Sequence, residues 1–272
     1  TITNYLYNPI AFYKQKILRI NELDLVEETI AANTMGTVVH DTLEALYKPY
    51  INQFLTIEHL DIMSKEYKGL VKKYFIKHFK NGDVTTGKNR LVFEVSNRFV
   101  ERFLSMEKKV LKDKHQVKIL GTELELEAII SVPGINFPIK IIGIVDRIDE
   151  FDGVTRIIDY KTGMVSSGDL KALNFDEIRD FKHNKAIQVL LYAYLYSQNN
   201  TVGKNTFIEA GIISFKNLKS GVLKMNFSSN YKNPENKITE EKLEEFIMQI
   251  KVLLQEIYNP EISFLEPSLL PF

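Results

Sequence analysis

The chain has 272 residues, 44% hydrophobic and 26% charged, a globular composition long enough for one large α/β domain or two small ones. Lys+Arg and Asp+Glu are equal at 35 each, so any surface for a polyanion has to be a local basic patch. The absence of cysteine excludes disulfides, thiolate nucleophiles, Cys-zinc sites and iron–sulfur clusters within this chain.

No apolar run approaches the roughly 18 residues of a membrane span, and no signal-peptide pattern opens the chain. A cytoplasmic location is therefore the expectation, with no membrane partner. The start at Thr1 rather than Met leads us to expect a piece excised from a longer protein.

Residues 1–22 carry Tyr5, Tyr7, Phe12 and Tyr13 around Asn8-Pro9, which reads as a short helix or docking arm. Val39, Leu43, Leu46, Tyr47 and Tyr50 then recur at helical spacing, with Thr34 and Thr37 as candidate caps. A second helix is predicted over 58–80, burying Leu60, Met63, Tyr67, Leu70, Val71 and Tyr74. Its opposite side carries Lys65, Lys68, Lys72 and Lys77, which reads as a solvated face. After a breaker at 82–87, a third helix over 89–112 aligns Val92, Val95, Phe99, Phe103, Met106 and Val110.

Beyond residue 115 the period changes to two. Strands are predicted over 117–130, 137–150 and 154–161, as an antiparallel meander turning at Pro133-Gly134 and Asp152-Gly153. A loop of mixed charge, 164–182, leads into a helix over 185–198. Two more strands follow, over 208–215 and 222–227, and a closing helix over 240–258. We expect a single unit: a mostly helical part over 1–115, the sheet and its helix over 116–230, and a C-terminal helix and tail over 231–272.

Asp152-Gly153 between two apolar runs is a strong hairpin signal, because both turn positions need positive φ. A two-residue turn there sets Asp146 opposite Asp159, Ile148 opposite Ile157, and Asp149 opposite Arg156 as a cross-strand ion pair. Facing carboxylates about 5 Å apart repel, and need either a shared proton or a bound cation. Lys161 lies two residues past Asp159 and so points to the same face. The apolar runs 141–145 and 157–158 suggest a sheet buried on both faces, where paired acids require such a partner. Two carboxylates and an ammonium can hold a hard divalent ion that acidifies water and neutralises a phosphate. If the first turn is a four-residue loop at 133–136, Glu123 falls opposite Asp146 and adds a third acid.

Gly143-Ile144-Val145-Asp146-Arg147-Ile148-Asp149, followed by Ile158-Asp159-Tyr160-Lys161-Thr162-Gly163, resembles the core of the RecB/AddB-like branch of the PD-(D/E)XK nuclease superfamily. Gly36-Thr37-Val38-Val39-His40 resembles its upstream histidine motif, and Gln188-Val189-Leu190-Leu191-Tyr192 its QxxxY motif. Glu123 stands where an acidic residue often precedes the central hairpin. The resemblance spans about residues 1–195 and implies a restriction-endonuclease-like α/β core, with a central mixed sheet flanked by helices and an N-terminal helical region.

It further implies Mg²⁺ or Mn²⁺ held by His40, Asp146, Asp159, the Tyr160 backbone carbonyl and, in addition, Glu123. Lys161 would position the attacking water, and Gln188 and Tyr192 would orient the catalytic groups and the strand. The implied activity is DNA cleavage, by an exonuclease in repair or recombination, often fused to or assembled with a helicase. The alternative is a catalytically silent nucleic-acid-binding or scaffolding module of such a complex. Many relatives have Cys-Pro where this chain has Asn8-Pro9, and use it with later cysteines to hold an iron–sulfur cluster. Without cysteine, a hydrophobic core must fasten the two ends here.

Overall fold

The computed structural model describes residues 2–20, 32–79, 86–172, 174–176, 180–200, 207–228 and 233–266. The breaker at 82–87 lies largely outside these residues, with only its last two positions inside.

The aromatic start of the chain is two short helices, α1 (Ile2–Tyr7) and α2 (Pro9–Phe12). Asn8 Oδ1 accepts the Ala11 N–H at 3.0 Å and Pro9 opens α2, so the Asn-Pro pair acts as a helix start. Three longer helices follow: α3 (Ala32–Tyr47), α4 (Ile57–His78) and α5 (Gly87–Lys112). Thr34 and Thr37 lie inside α3; Thr37 Oγ1 donates to the Asn33 carbonyl one turn back. Thr56 caps α4 instead, in a reciprocal box with His59. Apolar stripes from all three meet in one core through Leu43, Leu60, Val71, Phe75 and Phe103. Leu70 and Tyr74 only flank it, while Phe75 is fully buried.

The sheet comprises β1 (Val117–Ile130), β2 (Ile139–Phe151), β3 (Val154–Lys161), β4 (Glu209–Ser214) and β5 (Val222–Lys224), in that spatial order. β1 to β3 form the expected antiparallel meander. The helix α6 (Asn184–Asn199) carries the chain across to β4, which pairs parallel to β3. A last helix, α7 (Glu240–Tyr258), packs beside α6. The sheet is thus mixed and covered by helices, the α/β architecture expected. Ile158, Tyr160 and Ile213 face the α3–α5 layer, whereas Ile148, Ile157 and Ile212 face α6 and α7.

The hairpin register is the one the sequence dictates. Arg147 pairs with Ile158, Ile148 with Ile157 and Asp149 with Arg156, around a turn in which Asp152 and Gly153 have φ of 49° and 85°. The β1–β2 turn is longer than assumed, residues 131–138, yet it keeps the register that sets Glu123 across from Asp146.

Burial of the sheet on both faces holds only in part. Ile142 and Ile144 are about half exposed, and Ile129 more so, because the far end of the β1–β2 hairpin runs past the helical layer. A small third cluster of Tyr5, Phe12 and Leu253 fastens the N-terminal segment to α7. Tyr5 also donates to Glu256 Oε1 at 2.6 Å. Among the described residues, no helix is long and apolar enough to cross a membrane.

Candidate metal centre

Five elements deliver the site. Glu123 comes from β1, Asp146 from β2, Asp159 to Lys161 from β3, His40 from α3, and Gln188 with Tyr192 from α6. It lies at the sheet, between the α3–α5 layer of one face and the α6 layer of the other.

Alternation along the sheet breaks at this spot. Val145 and Ile148 are three residues apart yet share the α6-side core, while Arg147 points to the other layer. Across from Asp146, Glu123 has φ of 45°, left-handed backbone that costs a non-glycine residue energy. The irregularity turns both carboxylates toward α3. His40 Nδ1 lies 3.4 Å from Asp146 Oδ1 and 3.7 Å from Glu123 Oε1. One ligand atom from each of the three falls within 4.8 Å of the others.

His40 Nε2 donates to the Tyr160 carbonyl at 3.1 Å. Burial alone would lower its pKa, but Asp146 and Glu123 outweigh burial and bring it up to about 10. The imidazolium is therefore the cation that this set of acceptors holds. Ligation of a metal by the ring requires that the proton leave.

Asp159 belongs to the same centre with a different partner. Burial, then repulsion from Asp146, raises its pKa to about 7, and the Lys161 ammonium pulls the other way from 2.9 Å. Asp159 is 2% exposed and its Oδ2 has no well-formed hydrogen bond, since the nearby lysine approaches it off-axis. Asp146 takes the Tyr160 backbone N–H on Oδ2 at 2.5 Å, which fixes its rotamer where the regular ladder stops. Gln188 donates to the Tyr192 hydroxyl at 2.9 Å, and burial plus the three carboxylates push that phenol up to about 12. Gly143 explains how α6 comes so close. A Cβ there would sit 2.8 Å from Leu195 Cδ1 and 3.0 Å from Tyr192 Cε1.

Every residue expected at the site is therefore in one neighbourhood, although Asp159 faces Lys161 rather than the His40–Glu123–Asp146 cluster. Beneath the site lies a buried charge cluster, of which only the Asp149–Arg156 pair is legible in the sequence. Arg147 is fully buried, with Asp149 2.7 Å and Glu107 3.0 Å from its guanidinium, under the Tyr47 ring. Arg156 grips Asp149 from the other side with two bonds of 2.8 and 2.9 Å, as the register predicts. Both arginines hold the Asp149 carboxyl well below the usual carboxylate range despite its burial. Glu107 lies on α5, and only its partner on β2 accounts for its burial.

The family profile of the PD-(D/E)XK nuclease superfamily matches residues 1–267. The chain belongs to that superfamily. Its five-stranded mixed sheet flanked by helices is the restriction-endonuclease-like fold. Membership supports a nuclease-type function that uses a divalent metal. Uncharacterized proteins of Rickettsia felis and Rickettsia typhi are 27% and 26% identical over 167 residues, and one of Rickettsia conorii is 26% identical over 174. These matches cover 60% of this chain and 18% of each relative, so the chain spans under a fifth of their length.

The residues present fit a hard divalent cation. Carboxylate and backbone-carbonyl oxygens are its preferred donors, His40 adds one softer nitrogen, and Asp159 Oδ2 is a buried acceptor without a hydrogen bond. No cysteine-ligated cluster can form from this chain.

Proposed function

We propose that this chain is a Mg²⁺- or Mn²⁺-dependent deoxyribonuclease that hydrolyses phosphodiester bonds, and that it acts as an exonuclease in DNA repair or recombination. The convergence of His40, Glu123 and Asp146 beside the under-bonded Asp159 carries this reading. Asp146, Asp159, His40 and the Tyr160 carbonyl would hold the cation, with Glu123 as a further donor. When bound, the cation supplies Lewis-acid neutralisation of the phosphate and a more acidic water.

The chain's own groups do the rest. Lys161, held by Asp159, donates from Nζ to the attacking water and to the charge that grows on the phosphate. Gln188 fixes the Tyr192 hydroxyl, and the pair braces the site from the α6 side. The aligned motifs favour the RecB/AddB-like branch. The relatives' greater length fits a larger protein in which a helicase domain or subunit supplies the strand. A cytoplasmic setting goes with that reading.

The test is degradation of linear DNA with Mg²⁺ or Mn²⁺, stopped by EDTA. Asp159→Ala and Lys161→Ala should each abolish cleavage and leave the circular-dichroism spectrum unchanged, and full activity in either would overturn the assignment. Retention of DNA without cleavage under every metal would favour the silent scaffolding module instead.

A further inference from the structure

A cleft of about 400 Å³ adjoins the site and shares two of its residues, Lys161 and Gln188. Its remaining walls include Asn184 and Lys185 at the start of α6, Phe181 just before it, and Tyr7 from α1. The Tyr7 and Phe181 rings are 4.9 Å apart, inclined at 51°. Tyr5 and Phe12, from the same short segment, are spent on the core at 5% and 9% exposure, while Tyr7 stands out at 38%. Lys185 is anchored by Asp169 at 2.7 Å, which fixes an ammonium beside the aromatic pair.

We infer that this cleft is a subsite for one unpaired nucleotide of the strand being cut, with its base on the Tyr7–Phe181 wall. The inference rests on the nuclease reading of the adjoining carboxylates. An aromatic wall takes the face of a base, the amides of Asn184 and Gln188 meet its polar edge, and Lys185 meets a phosphate. Lys161, common to cleft and site, puts that nucleotide next to the scissile bond. A base within a duplex has both faces covered by its neighbours and cannot offer one to Tyr7 or Phe181 without leaving the stack. Stacking on a ring does not depend on base identity, so the subsite confers strand selectivity with little sequence preference.

The experiment measures binding of a labelled oligothymidylate and of a duplex of equal length, with EDTA and again with Ca²⁺. Phe181→Leu and Tyr7→Ala should each weaken single-strand binding roughly 5- to 100-fold and leave duplex binding unchanged. A scan of single abasic sites along the oligonucleotide leaves the protein unaltered and should find one sensitive position. That sensitivity should vanish in Phe181→Leu. Unchanged affinity in both variants, a flat abasic scan, or no single-strand binding in either buffer would overturn the subsite. If Mg²⁺ and Mn²⁺ support no cleavage while the abasic effect persists, the nuclease reading fails and the subsite stands. Cleavage with a flat scan gives the reverse.

Discussion

His40 and Asp159 make the metal-free protein sensitive to pH in the direction opposite to ordinary acid unfolding. Both are shifted upward, to about 10 and about 7, from ordinary values near 6.5 and 4. The neutral Asp159 carboxyl therefore favours the fold fully below about pH 4, and this contribution is lost as pH rises toward 7. The charged His40 ring contributes fully below about 6.5 and ceases to as pH approaches 10. We predict that the metal-free melting temperature falls across this window. Asp159→Asn should remove the lower part of the fall and raise the melting temperature at pH 8, by roughly 2–4 °C for each kcal/mol of strain relieved. The same variant should be inactive. Stability gained where activity is lost is the pattern of a charge kept for function. A thermal melt series from pH 4 to 10 on both proteins decides it, and identical slopes would remove the stored repulsion from the account.

At the scale of elements, Gly143 and Arg147 show what strand β2 does besides carry Asp146. Gly143→Ala places a methyl 2.8 Å from Leu195 and 3.0 Å from Tyr192, so α6 must shift or the ring must turn. The expected cost is about 1–3 kcal/mol, read by urea denaturation, with a further fall in activity because Tyr192 is displaced. Arg147→Met strands Glu107 and Asp149 without their shared cation and should cost about 3–5 kcal/mol. Asp149 keeps Arg156 and would be the less exposed of the two to this loss.

These strands also show where sequence stops being informative. The turn chemistry of Asp152-Gly153 was enough to place Asp149 against Arg156 and Ile148 against Ile157, because pairing in a two-residue hairpin follows from arithmetic alone. Glu123 falls across from Asp146 although its loop is longer, since residues 131–138 are centred where the shorter loop 133–136 would be, which keeps the register. The left-handed backbone at Glu123 had no such signature. Glycine or asparagine would have flagged it, and a glutamate there reads as ordinary strand. Thr34 and Thr37, expected as caps, lie inside α3 instead.

Across the whole molecule, the site sits between two cores that lie on opposite faces of the sheet. His40 belongs to the α3–α5 layer and Tyr192 to the α6 layer. The ends of the chain are fastened by Tyr5, Phe12 and Leu253, as the absence of cysteine required. A cation held by His40, Glu123, Asp146 and Asp159 would tie α3 to three strands at once, so its binding free energy adds to the stability of the folded state. At a hundredfold excess over Kd this amounts to about 2.7 kcal/mol, or a rise of roughly 5–10 °C in melting temperature.

The rise should grow with pH from 6 to 9, because the proton on His40 competes with the metal and must be released. Calorimetric titration of Mn²⁺ in buffers of different ionisation enthalpy measures that release directly. His40→Ala should reduce the proton release, and with it the pH dependence of binding, to the part that Asp159 contributes, while leaving weak carboxylate affinity behind. Mn²⁺ binding without proton release in the native protein would place the cation elsewhere than on the imidazole.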